Sequence, residues 1–378
     1  MNMLKTSVAG IAIAATSTAA FAGGLDRATF NSSILFEEGT YAEISFAQTN
    51  PNIAPSDVAG GLALSSGWEV AQTFDTAQVG FKTDLTDKLS LGLKLNGNPF
   101  GVDVNYAAFS GSVVPAVAGL SSLRANLSAK AISALLKYQI TERVSAFGAI
   151  KYQTVSGSAD VTVPLSVAAG VGVDGNVALA SASDVNFILG AAYEIPEIAL
   201  RVAASYETAA TFSPDVLAVN SGNINTGPGE IKTPKVYLLE FQSGVAKNTL
   251  VFGSIRHAKW ASAQVTMSAA YSNAQLSDFE DNTTYTLGVG RKFSDTFSGS
   301  VSITHAPSDC SDVSLLAPTC TNNTLSVGGK YSLGNGTAIS GGVSFRKYST
   351  ATSTASSGSI QFGGSTLATV GMKISKSF

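Results

Sequence analysis

What most restricts how this chain can fold is the rhythm of its connections. From Tyr41 onward, segments of alternating apolar and polar residues recur fourteen times, near 41–50, 71–84, 88–108, 129–141, 143–155, 184–194, 198–210, 232–243, 248–260, 281–293, 296–306, 321–333, 337–348 and 366–378. A period of two sends successive side chains to opposite faces of a strand. The links alternate as well. Short ones such as Leu85-Thr86-Asp87, Thr141-Glu142-Arg143, Ile195-Pro196-Glu197 and Ser294-Asp295 are separated by long ones near 51–70, 109–128, 156–183, 211–231, 261–280, 307–320 and 349–365. An up-and-down barrel crossing a membrane has this signature, with tight periplasmic turns and longer outer loops, and a tilted strand of about 9–11 residues suffices to cross. The expected fold is all-β, a transmembrane antiparallel β-barrel of about 14 strands. A soluble sandwich would also alternate, but it would not need long and short links in strict succession.

The two faces of these segments support that reading. One face runs Ile132, Ala134, Leu136, Tyr138 and then Val144, Ala146, Ile150, Tyr152, uncharged and with Tyr near the ends, as lipid contact favours. The opposite parity collects Lys82, Lys94, Lys137, Lys151, Arg201, Lys330, Arg346 and Lys373 against Glu194, Glu207 and Glu240. A wet barrel interior tolerates such charges. Their basic excess is either a site for an anionic group or simply solvated lumen charge. Charged residues make up 13% of the chain, about half the usual share. The formal charge of -3 argues against a nucleic-acid partner.

Residues 1–22 read as a secretory signal peptide, with Lys5, the apolar run Val8 to Ala15 and an Ala20-Phe21-Ala22 cleavage site. The barrel then occupies 41–378. Cys310 and Cys320 flank a Pro- and Ser-rich loop, and in an exported chain a disulfide closing a peripheral loop is expected. Metal ligation is the alternative, but no His or second Cys pair supports it, and no metal site or cofactor is expected. His257 and His305 have no recognisable acid partner or nucleophile beside them, so no catalytic residue is assigned and the chain is not expected to be an enzyme. Two loop stretches, Val113, Val114, Pro115, Val117 and Leu120, then Leu165 and Val167, are strongly apolar. They form a ligand groove or pack on each other as a lid. One segment also breaks its own pattern. Leu89, Leu91, Leu93 and Leu95 alternate cleanly, and then Asn98, Pro99, Phe100 and Gly101 interrupt a strand that Pro and Gly can only weaken.

Taken in order, "TDKLSLGLKLNGNPFGVDVNY", "ISALLKYQITERVSAFGAIKYQ", "FILGAAYEIPEIALRVAASYET" and "GEIKTPKVYLLEFQSGVAKNTLVFGSIRHAKW" resemble the FadL/TodX family of outer-membrane transporters of long-chain fatty acids and other hydrophobic compounds. The last strand, ending on Phe378, resembles the signal read by the outer-membrane assembly machinery, although Lys376 stands where an apolar residue is usual. The resemblance implies that residues 23–40 form an N-terminal hatch plugging the barrel from inside; this one departs from the family, with "ILFEEG" in place of an Asn-Pro-Ala-Gly-like stretch. The resemblance implies a monomer in the outer membrane of a Gram-negative bacterium, surrounded by outer-membrane lipid. Hydrophobic small molecules, long-chain fatty acids first among them, would enter by the apolar outer groove and reach an inner pocket. They would leave sideways at the kinked third strand, Asn98 to Gly101. Arg201, Phe252, Arg256 and Trp260 are the candidate pocket residues. A lipid-facing Arg256 would cost about 2–4 kcal/mol, so its expected place is the lumen. The alternative is a porin-like channel for small polar solutes.

Overall fold

Fourteen antiparallel strands close into a barrel. The computed structural model describes residues 24–58, 69–106, 123–161, 175–220, 223–267, 275–355 and 358–378, so the expected signal peptide lies outside the described residues. The first strand, Tyr41–Asn52, pairs with the last, Thr366–Ser377, and closes the ring. Outward positions form an apolar belt that includes Ile150, Phe187, Leu189, Val301, Ile303, Val343, Phe345, Val370 and Met372, all exposed. Inward positions carry small, polar and charged residues, as the alternation predicts, with Lys82, Ser90, Lys94, Gln153, Asn186 and Arg346 among the buried ones.

Strand ends at the short turns fall close to their expected places, whereas those at the long loops do not. The strands Val144–Val161 and Gly175–Ile195 run far into what the sequence marks as loop. The 211–231 stretch holds a hairpin, Asp215–Asn220 with Asn223–Lys232, that joins the wall through Val216↔Leu179. The reason is physical: beyond the bilayer neither face of a strand meets hydrocarbon, so a strand can continue without the alternation that reveals it.

The inside of the barrel is filled from the N-terminal end. Residues 24–40 lie within the ring, and Ser33–Phe36 forms one 3-10 turn. Ile34 and Leu35 are buried against Leu135, Phe147, Ala149, Ile188, Ala192 and Ala203 of the wall. The Phe36 ring sits between Lys137 and Arg201, whose cationic groups lie 4.9 and 4.4 Å from its centroid. Polar ties complete the seat. Ser32 donates to Glu240 from its amide at 3.2 Å and its hydroxyl at 2.5 Å. Lys82 donates to the carbonyls of Glu37 and Gly39 at 2.6 and 3.0 Å. These contacts hold the plug to the wall near its turn end, where a vestibule of about 600 Å³ is lined by Phe36, Lys137 and Arg201.

The loop closed by the Cys310–Cys320 disulfide is not peripheral. Tyr106 donates its hydroxyl to Leu315 O at 2.7 Å, and the Thr352 and Val313 amides tie the loop to its neighbour. Leu316 to Thr319 cover a cavity of about 40 Å³ whose floor includes Arg27 and Phe74.

If the Ile34–Leu35 contact is the axial seal, Leu35→Asp will break it, because a carboxylate buried among apolar side chains goes unpaired. The barrel should keep its heat-modifiable gel mobility while single-channel ion conductance in planar bilayers rises. Unchanged conductance would show that the seal lies elsewhere.

Candidate functional site

The interrupted strand is two strands, Leu89–Asn96 and Gly101–Asn105. On one edge both pair with Arg124–Gln139, through Asn96↔Ala131 and Gly101↔Ser128. Five steps on the broken strand therefore face three on its neighbour, and two residues must leave the wall. On the other edge the ladder to Phe74–Thr86 ends at Gln78↔Asn96. Among the described residues, strand pairing on this edge resumes at the isolated bridge Ala71↔Val104.

The amides and carbonyls freed by this break are taken up from inside. The Arg27 and Ala28 amides donate to Pro99 O at 3.0 and 2.9 Å, and the Gly101 amide donates to Leu25 O at 2.9 Å, so the plug stands in as a short strand beside the kink. Asn98 Nδ2 donates to Asp75 O at 3.0 Å, and the Gly97 amide to Ala77 O at 2.8 Å. Pro99 has no amide hydrogen to lose, which suits it to this place. Gly101 is required by close approach: a Cβ there would lie 2.2 Å from Leu127 O. Arg27 fills the break itself. Its Nη1 donates to Asn98 Oδ1 at 3.2 Å and its guanidinium lies 4.4 Å from the Phe74 ring centroid.

Behind the kink lies a small pocket. Phe30 and Thr29 of the plug, Pro99 and Phe100 of the kink, and Val236, Leu238 and Pro234 of the wall line it. Its two cations are both paired, Arg256 with Asp26 of the plug at 2.7 Å and Lys151 with Glu207 at 2.9 Å. Asn186 also donates to Glu207 at 3.0 Å. Arg256 Nη1 is buried without a hydrogen-bond partner among the described residues. The space is about 30 Å³, enough for water and too small for any larger guest. Plug or kink must move before the pocket can admit a larger molecule.

The candidate residues divide accordingly. Arg256 faces the lumen at the pocket. Trp260, one turn of chain above it, is buried with its ring against Gly24 of the plug and edge-on to Phe279 at 5.5 Å. Phe252 shares their face but packs over Gly288 and does not line the pocket. Arg201 lies nearer the turn end, bonded to Gln242 at 3.1 Å and stacked on Phe36, lining the vestibule instead. Val113, Val114, Pro115, Val117, Leu120, Leu165 and Val167 lie outside the described residues. Asp26, Lys151 and Glu207 were not singled out for the pocket from sequence, although the inward parity of Lys151 and Glu207 was legible.

No protein-family model matches the chain, and no curated protein matches it. Solved structures do. A Pseudomonas aeruginosa FadL homologue superposes with a TM-score of 0.73 at 11% identity, covering 98% of each chain. The Pseudomonas putida toluene transporter TodX gives 0.65 at 14% identity, over 96% of this chain and 98% of that one. The Ralstonia pickettii toluene transporter TbuX gives 0.64 at 11%, over 91% and 90%. At these identities the likeness shows the fold: the chain is built as these barrels are.

Asp26→Asn is expected to remove the direct ion-pair partner of the buried Arg256, at a cost of up to about 3–5 kcal/mol. Because Asp26 belongs to the plug, that cost should appear as loosening of the plug, read as faster amide exchange across residues 25–30 in detergent. Asp26→Leu combined with Arg256→Met should restore slow exchange. Equal exchange in the wild type and Asp26→Asn would remove the pair from the hold on the plug.

Proposed function

We propose that this chain carries hydrophobic molecules across the outer membrane of a Gram-negative bacterium as a single barrel. They pass from its outer loops to the pocket behind the kink and leave sideways into the bilayer. What supports this reading most is the contrast between axis and wall. Ile34, Leu35 and Phe36 fill part of the lumen on apolar packing, whereas the wall at Gly97 to Phe100 has no continuous strand ladder and its backbone is tied to the plug by hydrogen bonds beside the packed Phe100 ring. Withdrawing Leu25 to Ala28 would free the kink, remove Arg27 from the break and join the pocket to the belt. Hydrocarbon excludes unpaired backbone unless protein or water meets it, so such an opening suits a guest bound for the lipid. A porin-like channel for polar solutes fits less well, since the plug occupies part of the lumen.

Long-chain fatty acids are the first cargo. The pocket offers an apolar wall for a chain and the spare Arg256 Nη1 donor for a carboxyl oxygen. Neutral hydrocarbons are the second, favoured by the pairing of both pocket cations, which leaves no net charge to hold an anion. No energy source is needed, since binding steps and dilution into the membrane set the direction.

The register supplies a direct test. Deleting Asn98 and Pro99 leaves three steps between Asn96 and Gly101, in step with Ala131 to Ser128. The straightened strand should still assemble a heat-modifiable barrel but fail to take up labelled oleate or toluene into cells. Whichever compound the wild type takes up faster identifies the cargo. Undiminished uptake of both by an assembled deletion variant rules out the sideways route.

A further inference from the structure

The outer surface of the barrel carries a feature that transport does not use. At the loop end of the wall, Lys235 and Lys259 stand directly opposite each other on neighbouring strands. Both belong to the outward parity, as do Tyr237 and Ile255, which are 47% and 41% exposed. Like charges placed opposite each other on one face of a sheet repel, and a sheet does not keep such a pair without a cause. Local acids do not remove the repulsion: among the described ion pairs, Lys259 has only Asp281, at 3.9 Å, and Lys235 has none.

Directly below the pair, on the side of the apolar belt, comes an aromatic step. Tyr237 faces His257 across the same two strands, with ring centroids 6.3 Å apart. Tyr206 of the next strand packs on Tyr237 at 5.1 Å. His257 is held by Thr283 through its Nδ1 at 2.9 Å. Aromatic rings of this kind mark the level of lipid headgroups, with hydrocarbon on one side and water on the other. Two ammonium groups just above that level are positioned where the phosphate of a headgroup would lie. The other outward-facing lysines near this rim, Lys130 and Lys347, have Thr154 and Asn323 as cross-strand partners and no second cation opposite.

We propose that Lys235 and Lys259 form a binding site for a phosphorylated lipid headgroup of the outer leaflet, with Tyr237, His257 and Tyr206 supporting the lipid below its phosphate. The site requires the membrane placement described above but not the sideways route. A barrel that transports nothing could still bind lipid here, and a transporter could lack the site.

The test uses the full-length protein in detergent, with phosphorylated lipid A as the probe and dephosphorylated lipid A and inorganic phosphate beside it, read by native mass spectrometry. The wild type should retain phosphorylated lipid A about thirtyfold more than Lys235→Gln combined with Lys259→Gln, given the usual attraction of each lysine to an anionic surface. Lys347→Gln should match the wild type, and Lys235→Arg with Lys259→Arg should retain the lipid. Both positions lie on the surface, so all variants should show the same heat-modifiable mobility, and oleate and toluene uptake should persist in the glutamine variant. Equal retention by the wild type and the double glutamine variant overturns the site. So does equal retention of the dephosphorylated lipid, while displacement by equimolar inorganic phosphate would make it a site for the free ion rather than for lipid.

Discussion

A backbone amide inside a membrane must find a partner, and at the kink the wall does not supply all of them. Where the strand breaks at Gly97 to Phe100, neither neighbouring strand completes the ladder. The plug does so instead, offering Leu25 O and the amides of Arg27 and Ala28. The plug thus completes the wall as well as filling the lumen. Its position and the closure of the wall are the same set of bonds, and neither can change alone.

The two halves of the plug are held in different ways. Below, Ile34 and Leu35 are fixed by dispersion and burial among Leu135, Phe147 and Ile188, contacts that are many and individually weak. Above, Leu25 is buried as well, in a cluster with Phe100, Phe212 and Trp260, and the bonds to Pro99 and Gly101 and the Asp26–Arg256 pair add directional ties. The upper half differs in that its backbone bonds also complete the wall at the kink.

The barrel was legible because hydrocarbon on one side and water on the other impose a period of two, and that period fixed the strand ends at the short turns. Legibility stopped where the period lost its cause. The outer ends of Val144–Val161 and Gly175–Ile195 continue as strand with no lipid to pattern them. The kink could be read from Pro99 and Gly101, but what satisfies it could not, since Leu25 lies more than seventy positions away. Lumen charges could be assigned by parity, but their pairing could not, because parity does not say which acid lies across the barrel. One clue was present and passed over. Leu135, Phe147 and Ile188 are large apolar residues at inward positions, where a water-filled barrel has no use for them, and they mark where the plug sits.

Barrel closure carries a further demand. The seam joins the first strand to the last, and Glu43 meets Lys373 there at 3.0 Å across 330 positions of chain. A slip of one residue between these strands would turn every side chain of one of them to the other face. Lys373 would then stand in hydrocarbon, and Met372 and Ile374 would face the wet interior. The ion pair at the seam thus acts as a proofreading mark: it is satisfied in one alignment of the chain ends, and the neighbouring alignments are penalised by the membrane itself.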